Sequence, residues 1–333
     1  MEKLVSSWCN VQSLPDNYVF PPEKRPGINI VPLCNTIPVI DLEASDAALN
    51  ILKASQEFGF FQVINHGVAE NLVNDTMSVF KEFFELPAED KANLYSEEPS
   101  RSCRLYTSSP NYYNEEVHFW RDNLRHPCHP VDNFIDQWPE KPIRYREVVG
   151  NCSVEMRKLV LRILQMISHG LRLDAKYFGD DLSKELLLSV NHYPPCPEPN
   201  LALGLPKHSD PNLITILHQG DVYGLQVFKD GEWIGVEPIP NAFVVNIGLQ
   251  LQIISNGKLK SSEHRVVTNS SDARTTVVFF FSPCNDSLIE PEKTLTDERN
   301  SPLYKGFQYK EFLTYYIAKH GDTEAAIEPF QLI

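Results

Sequence analysis

The sequence predicts an α+β protein: a double-stranded β-helix (jelly-roll) core with N-terminal and flanking helices. Three observations carry this. From Leu186 to Pro283 the chain is a series of short β-rich runs broken by Gly, Pro and Asn, and regularly spaced strands with turns suit a double-sheet jelly roll. Ahead of that region, apolar residues recur at helical spacing over two long stretches. The 333 residues suffice for one large domain or two closely packed lobes.

In chain order, residues 1–36 are rich in Pro and Asn and are expected to wrap the surface as an arm. Pro38–Leu42 predicts a strand. Ser45–Gln56 predicts a helix, with Ser45 as N-cap and Gly59 just past its end. Phe60–Ile64 is a short apolar strand expected at the edge of the main sheet. Asn71–Glu85 has Leu72, Met77, Phe80, Phe83 and Phe84 at helical spacing, closed by Leu86-Pro87. Residues 96–115 are polar and tyrosine-bearing, a loop over a cavity mouth. Arg144–Leu171 predicts a long amphipathic helix on which the sheet leans. The β-rich runs are Leu186–Tyr193, Ile214–His218, Leu225–Lys229, Glu232–Glu237, Ala242–Ile247, His264–Thr268 and Thr275–Ser282, with Gly231 and Asn256-Gly257 marking hairpin turns. A helix over Tyr309–His320 closes the chain.

Composition excludes several function classes. The net charge is −14 with no dense Lys/Arg block, so no nucleic-acid partner is expected. Nothing approaches the roughly 18 apolar residues of a membrane span, and no obligate protein partner is evident. Seven scattered cysteines without CxxC predict reduced thiols and a cytoplasmic setting. The N-terminus has neither a basic head nor a long apolar run, so no signal peptide is expected.

The chemistry concentrates in His208-Ser209-Asp210 and in His264. On an extended segment, residues two apart point to one side, so the imidazole and the carboxylate reach one metal ion. Two histidines and one carboxylate make the facial triad that leaves positions open on non-haem Fe(II). Ten residues past His264 comes Arg274, then Thr276. A guanidinium beside a hydroxyl suits a carboxylate held bidentate.

These residues resemble the plant 2-oxoglutarate- and Fe(II)-dependent dioxygenases, whose pattern is HxD, a distal His, then RxS. The resemblance covers nearly the whole chain. It includes Ile37-Pro38-Val39-Ile40-Asp41-Leu42, then Gly59-Phe60-Phe61-Gln62-Val63-Ile64-Asn65-His66-Gly67, then Asn191-His192-Tyr193-Pro194-Pro195-Cys196-Pro197. It implies an arm over 1–36, an N-terminal dioxygenase region over 37–180, the catalytic jelly roll over 184–284 and a C-terminal extension over 285–333. It also implies Fe(II) on His208, Asp210 and His264, with 2-oxoglutarate and O2 as co-substrates and ascorbate as reductant. Arg274, Thr276, Tyr193 and Asn191 are the implied 2-oxoglutarate contacts. Three departures stand out: Thr276 where Ser is usual, Leu249 where many members carry Asp, and His192 in place of Tyr. Strand alternation turns His192 away from Asn191 and Tyr193.

For the small-molecule substrate, the chain is most similar to the hyoscyamine 6-dioxygenase-like branch and its salicylate 5-hydroxylase and flavone synthase relatives. The stretches Trp120-Arg121-Asp122 to Cys128-His129-Pro130, and Trp138 to Val149, carry that likeness. A tropane amine would want a carboxylate, Glu115 or Glu116. A phenolic acid would want a cation: Arg101, Arg104 or Lys207. Tyr106, Tyr112, Tyr113, Phe279 and Phe281 are candidates for an aromatic wall. Two other classes stay open: a silent small-molecule-binding jelly roll, and a zinc hydrolase, which would leave Arg274-x-Thr276 without a role.

Overall fold

The computed structural model describes residues 3–27, 31, 37–319 and 321–332. Parts of the expected arm (1, 2, 28–30 and 32–36) and His320 lie outside them. Twelve strands build two sheets: β1 (Val39–Asp41), β2 (Phe60–Ile64), β3 (Arg104–Thr107), β4 (Asp122–Pro127), β5 (Glu185–Tyr193), β6 (Leu203–His208), β7 (Ile214–His218), β8 (Leu225–Lys229), β9 (Glu232–Gly235), β10 (Phe243–Ile247), β11 (His264–Val267) and β12 (Arg274–Ser282). The large sheet runs β1-β2-β10-β7-β12-β5-β4-β3 and the small one β6-β11-β8-β9. The helices are α1 (Ala47–Glu57), α2 (Glu70–Glu85), α3 (Ala88–Lys91), α4 (Val131–Phe134), α5 (Tyr145–Gly170), α6 (Leu249–Ile254), α7 (Tyr309–Ala318) and α8 (Thr323–Ile327).

Strand alternation divides the large sheet into two chemically different faces. Val277, Phe279 and Phe281 of β12, Leu188 and Val190 of β5, and Leu105 and Leu124 of β3 and β4 share one buried cluster with Phe80 and Phe83 of α2 and Ile163 of α5. That apolar face and the helices packed on it form the main core. On the other face, Phe60 and Val244 meet Leu225 and Val227 of the small sheet. Elsewhere that inner face carries polar residues, Thr215, Asn246, Arg274, Thr276 and Asn191 among them, and the candidate site lies there.

Several expectations are corrected. β2 is not an edge strand: β1 pairs with it in parallel on its outer side. The expected loop over 96–115 contains β3, and β4 follows soon after. Three of the five inward residues on these strands, Arg104, Asn123 and Arg125, are polar, so apolar patterning does not reveal them. Asn256-Gly257 is not a hairpin turn. It ends α6, with the Gly257 N–H donating to the Gln252 carbonyl at 2.8 Å, both residues taking the positive φ that a helix C-terminus favours. Asp230-Gly231 is the hairpin turn, joining β8 to β9.

The described part of the arm is tied to β4. The backbone N–H groups of Val5 and Ser6 both donate to the buried Asp122 carboxylate at 2.8 Å. An amide in its place offers one acceptor oxygen for two donors. Asp122→Asn is therefore expected to cost about 1–3 kcal/mol and to expose the arm. Unfolding in urea and limited proteolysis check this; unchanged stability with an uncut arm would contradict it.

Candidate functional site

The site sits between the two sheets. β6 and β11 are neighbours, and His264 lies directly opposite His208 in their register. Asp210 does not continue the strand, as the sequence suggested. β6 ends at His208, and Ser209-Asp210 begin the turn into β7. The C-terminal helices hold that turn: the Ser209 N–H donates to Thr323 Oγ1 at 3.0 Å, and the Tyr316 hydroxyl donates to the Ser209 carbonyl at 2.8 Å.

Asp210 Oδ1 lies 3.6 Å from His208 Nε2 and 3.7 Å from His264 Nε2, and the three ligand atoms lie within 4.8 Å of one another. Each imidazole is oriented through its other nitrogen, His208 Nδ1–H donating to the Pro206 carbonyl at 2.9 Å and His264 Nδ1–H to the Ser262 carbonyl at 3.3 Å. This leaves both Nε2 atoms as acceptors. Asp210 Oδ2 accepts from Thr215 Oγ1 at 2.6 Å and Asn246 Nδ2 at 2.7 Å, so Oδ1 faces the histidines. Burial pushes the His264 pKa down to about 4, keeping the ring in its ligating, neutral form at neutral pH. For Asp210, burial raises the pKa, but the close His208 and His264 rings and the bond from Asn246 outweigh it and hold the carboxyl well below the usual range.

Thr215 and Asn246 were not singled out in the sequence, although each is a lone polar residue inside an apolar run. Thr215→Val removes one of the bonds that orient Asp210. It is expected to weaken metal binding about 10–100-fold without unfolding the chain. A metal titration of the variant checks this; unaltered affinity would contradict a positioning role.

Across from this cluster, Arg274 and Thr276 enter from β12 and Asn191 and Tyr193 from β5, with Arg274 opposite Tyr193 and Thr276 opposite Asn191. Arg274 is buried. Its Nε–H donates to the Val222 carbonyl at 2.8 Å, and its guanidinium carbon lies 5.4 Å from the Tyr193 ring centre. Both terminal nitrogens are buried without a hydrogen-bond partner among the described residues. A buried charge in that condition is costly, and a bidentate carboxylate relieves it. Glycine makes the room: a Cβ on Gly224 would lie 3.0 Å from Arg274 Cδ and Nε, and one on Gly204 would meet the Tyr193 ring at 2.6 Å.

Two matches identify such a site. Residues 184–283 match the 2OG-Fe(II) oxygenase superfamily, and residues 37–141 match the non-haem dioxygenase in morphine synthesis N-terminal family. Hyoscyamine 6-dioxygenase of Hyoscyamus niger is 43% identical, covering 100% of this chain and 99% of its own. The chain belongs to the 2OG-Fe(II) oxygenase superfamily. Flavanone 3-dioxygenase 2 of Oryza sativa subsp. japonica is 42% identical, covering 97% and 96% of the two chains. A crystal structure of JOX2 in complex with 2OG, Fe, and JA superposes with a TM-score of 0.88 at 36% identity, covering 99% of this chain and 98% of that one. This protein is accordingly a 2-oxoglutarate-dependent dioxygenase of plant specialised metabolism, using Fe(II), 2-oxoglutarate and O2. No helix among the described residues is long and apolar enough to cross a membrane.

The expected substrate contacts are partly redistributed. Tyr106 is buried on the inner face, in register with Asn123. Phe279 and Phe281 are not: with Arg274 and Thr276 pointing inward, odd-numbered β12 residues point to the helices, and both lie in the main core. Val278 and Phe280 face inward instead. Tyr112 stacks on His118 at 3.9 Å, beneath Lys3 of the arm, and Tyr113 is exposed. Glu116 is exposed. Glu115 is occupied by Ser108, Ser109 and, at 2.8 Å, His118. His192 turns outward as expected, bonding Thr275 at 3.0 Å and stacking on Phe84 of α2. Leu249 is buried, its N–H donating to the Asp210 carbonyl at 2.9 Å, and Cys196 is buried in a cluster with Trp120 and Tyr18.

Proposed function

We propose that this chain hydroxylates a small specialised metabolite, with His208, Asp210 and His264 holding Fe(II) and Arg274 and Thr276 holding the far carboxylate of 2-oxoglutarate. The observation that carries this reading is the buried Arg274 guanidinium, with two nitrogens unpartnered among the described residues, across the inter-sheet space from the His-Asp-His cluster. Iron and 2-oxoglutarate supply the oxidation: O2 gives one oxygen atom to succinate, formed with loss of CO2, and the other to a substrate C–H bond. The protein supplies position and dryness. Thr215 and Asn246 fix the Asp210 oxygen that faces the histidines. Asn191, 3.4 Å from Thr276 Oγ1 and bonded by Arg121 and Asn123, joins the co-substrate end to the inner wall of β4 and β3.

For the prime substrate, the likeness to hyoscyamine 6-dioxygenase supports a tropane-type alkaloid, and the likeness to flavanone 3-dioxygenase 2 a phenolic one. The site favours the second. Among the described residues, neither of the two mouth-loop carboxylates considered offers a protonated amine a buried, free partner: Glu115 is already bonded on several sides and Glu116 stands in solvent. Succinate release by the iron-loaded enzyme, measured with panels of tropane alkaloids, flavanones and phenolic acids, tests both levels. Stimulation by a phenolic panel is expected. Stimulation by the alkaloids alone would overturn the substrate reading, and absence of any succinate would overturn the reaction.

A further inference from the structure

The inner wall carries a second buried cation that the 2-oxoglutarate reaction does not use. Arg104 on β3 is 6% exposed, and its Nη1 is buried without a hydrogen-bond partner among the described residues. Its guanidinium carbon lies 5.2 Å from the ring centre of Tyr106, two residues on along the same strand face. Directly opposite, in register, is Arg125 of β4. Like charges facing each other across a strand pair repel, and among the described residues neither arginine makes a salt bridge. Burial, foremost, and the Arg125 charge both pull the Arg104 pKa down, with the Tyr106 hydroxyl opposing them. The other cations considered for a substrate acid are engaged elsewhere. Lys207 pairs with Glu263 at 2.9 Å, and Arg101 is exposed and donates to the Asn93 and Tyr95 carbonyls.

The wall is continuous with the candidate site. Arg125 is in register with Ser189 of β5, and Tyr106 with Asn123, which is in register with Asn191. Asn123 Oδ1 is also buried without a partner among the described residues. It asks for a donor a short distance from the arginine pair.

We infer that Arg104 and Arg125 form an anion subsite for the prime substrate, which is an organic carboxylate carrying an O–H or N–H donor. A planar guanidinium pair matches a carboxylate's two oxygens, and binding it relieves both the uncompensated burial of Arg104 and the repulsion with Arg125. This rests on the proposed reaction only in placing the oxidised C–H bond between the subsite and the His-Asp-His cluster.

The test is binding without turnover. Iron-loaded protein saturated with 2-oxoglutarate under nitrogen is titrated with hydroxylated aromatic and aliphatic acids, each beside its methyl ester, and with tropane amines, following tryptophan fluorescence. At least one acid is expected to bind tenfold or more tightly than its ester, with the difference lost in Arg104→Met and reduced in Arg125→Gln. In parallel, Arg104→Met is expected to raise the melting temperature of the ligand-free protein, since it removes an uncompensated buried charge. No acid preferred to its ester, a preference surviving in Arg104→Met, or an amine bound more tightly than every acid would overturn the inference. So would a ligand-free Arg104→Met that melts lower than wild type, which would make Arg104 a structural group. Succinate release by wild type is read separately. Its absence would sink the proposed reaction while leaving the charge preference measurable.

Discussion

Replacing Asp210 by alanine is expected to lower turnover by at least ~1000-fold and to abolish stable iron binding while the chain stays folded. Asp210 Oδ1 is the only carboxylate oxygen that stands within 4 Å of both His208 Nε2 and His264 Nε2 among the described residues. Without it, two imidazoles on adjacent strands remain, too few donors and too little negative charge to retain a labile divalent ion. The fold does not depend on the side chain in the same way. The turn is held through backbone groups, by Thr323, Tyr316 and the Leu249 N–H. His208→Ala and His264→Ala are expected to behave alike. Metal content by elemental analysis, read beside far-UV circular dichroism, separates loss of metal from loss of fold. Full activity in any of the three would remove that residue from the metal site.

Arg274→Met is expected to raise the 2-oxoglutarate requirement by roughly 100-fold, about 3 kcal/mol, while changing the prime-substrate requirement much less. The asymmetry follows from position. Arg274 lies at the Tyr193 end of β12, with Tyr193, Gly224 and Val222 around it, whereas Arg104, Tyr106 and Arg125 occupy the far edge of the same sheet. A second consequence is less intuitive. Because two guanidinium nitrogens are buried without partners among the described residues, removing the charge is expected to stabilise the ligand-free protein even as it weakens co-substrate binding. Initial rates against each substrate in turn, with a thermal melt, check both. A larger effect on the prime substrate would contradict the clamp role.

The His-Asp-His cluster that the structure brings together was legible because an HxD step, a distant histidine and an RxT step, each beside an apolar run, together resemble the pattern of one family. The helices were legible for a related reason. α2 and α5 bury one stripe against the sheet and so keep a helical period over many residues. What escaped had a physical cause in each case. β3 and β4 turn polar side chains inward, so a test based on apolar alternation reads them as loop. The turn at Ser209-Asp210 was taken as strand because side-chain direction is similar in both, and its support comes from α7 and α8, more than a hundred residues away. The assignment of Phe279 and Phe281 to the cavity was avoidable. Once Arg274 and Thr276 point inward, period two places Val278 and Phe280 on their face and the two phenylalanines against the helices. Thr215 and Asn246 were similarly readable as polar interruptions in buried strands, a pattern that asks what each one bonds.

The central claim is that one space between the sheets binds metal and 2-oxoglutarate together. Equilibrium dialysis of labelled 2-oxoglutarate against the wild-type protein under nitrogen, with Fe(II) and then with a chelator in excess, tests it most directly. The account predicts one equivalent bound per chain with Fe(II), weakened strongly by the chelator and by Arg274→Met. Binding indifferent to both metal and Arg274, or no binding by folded, iron-loaded protein, would contradict it.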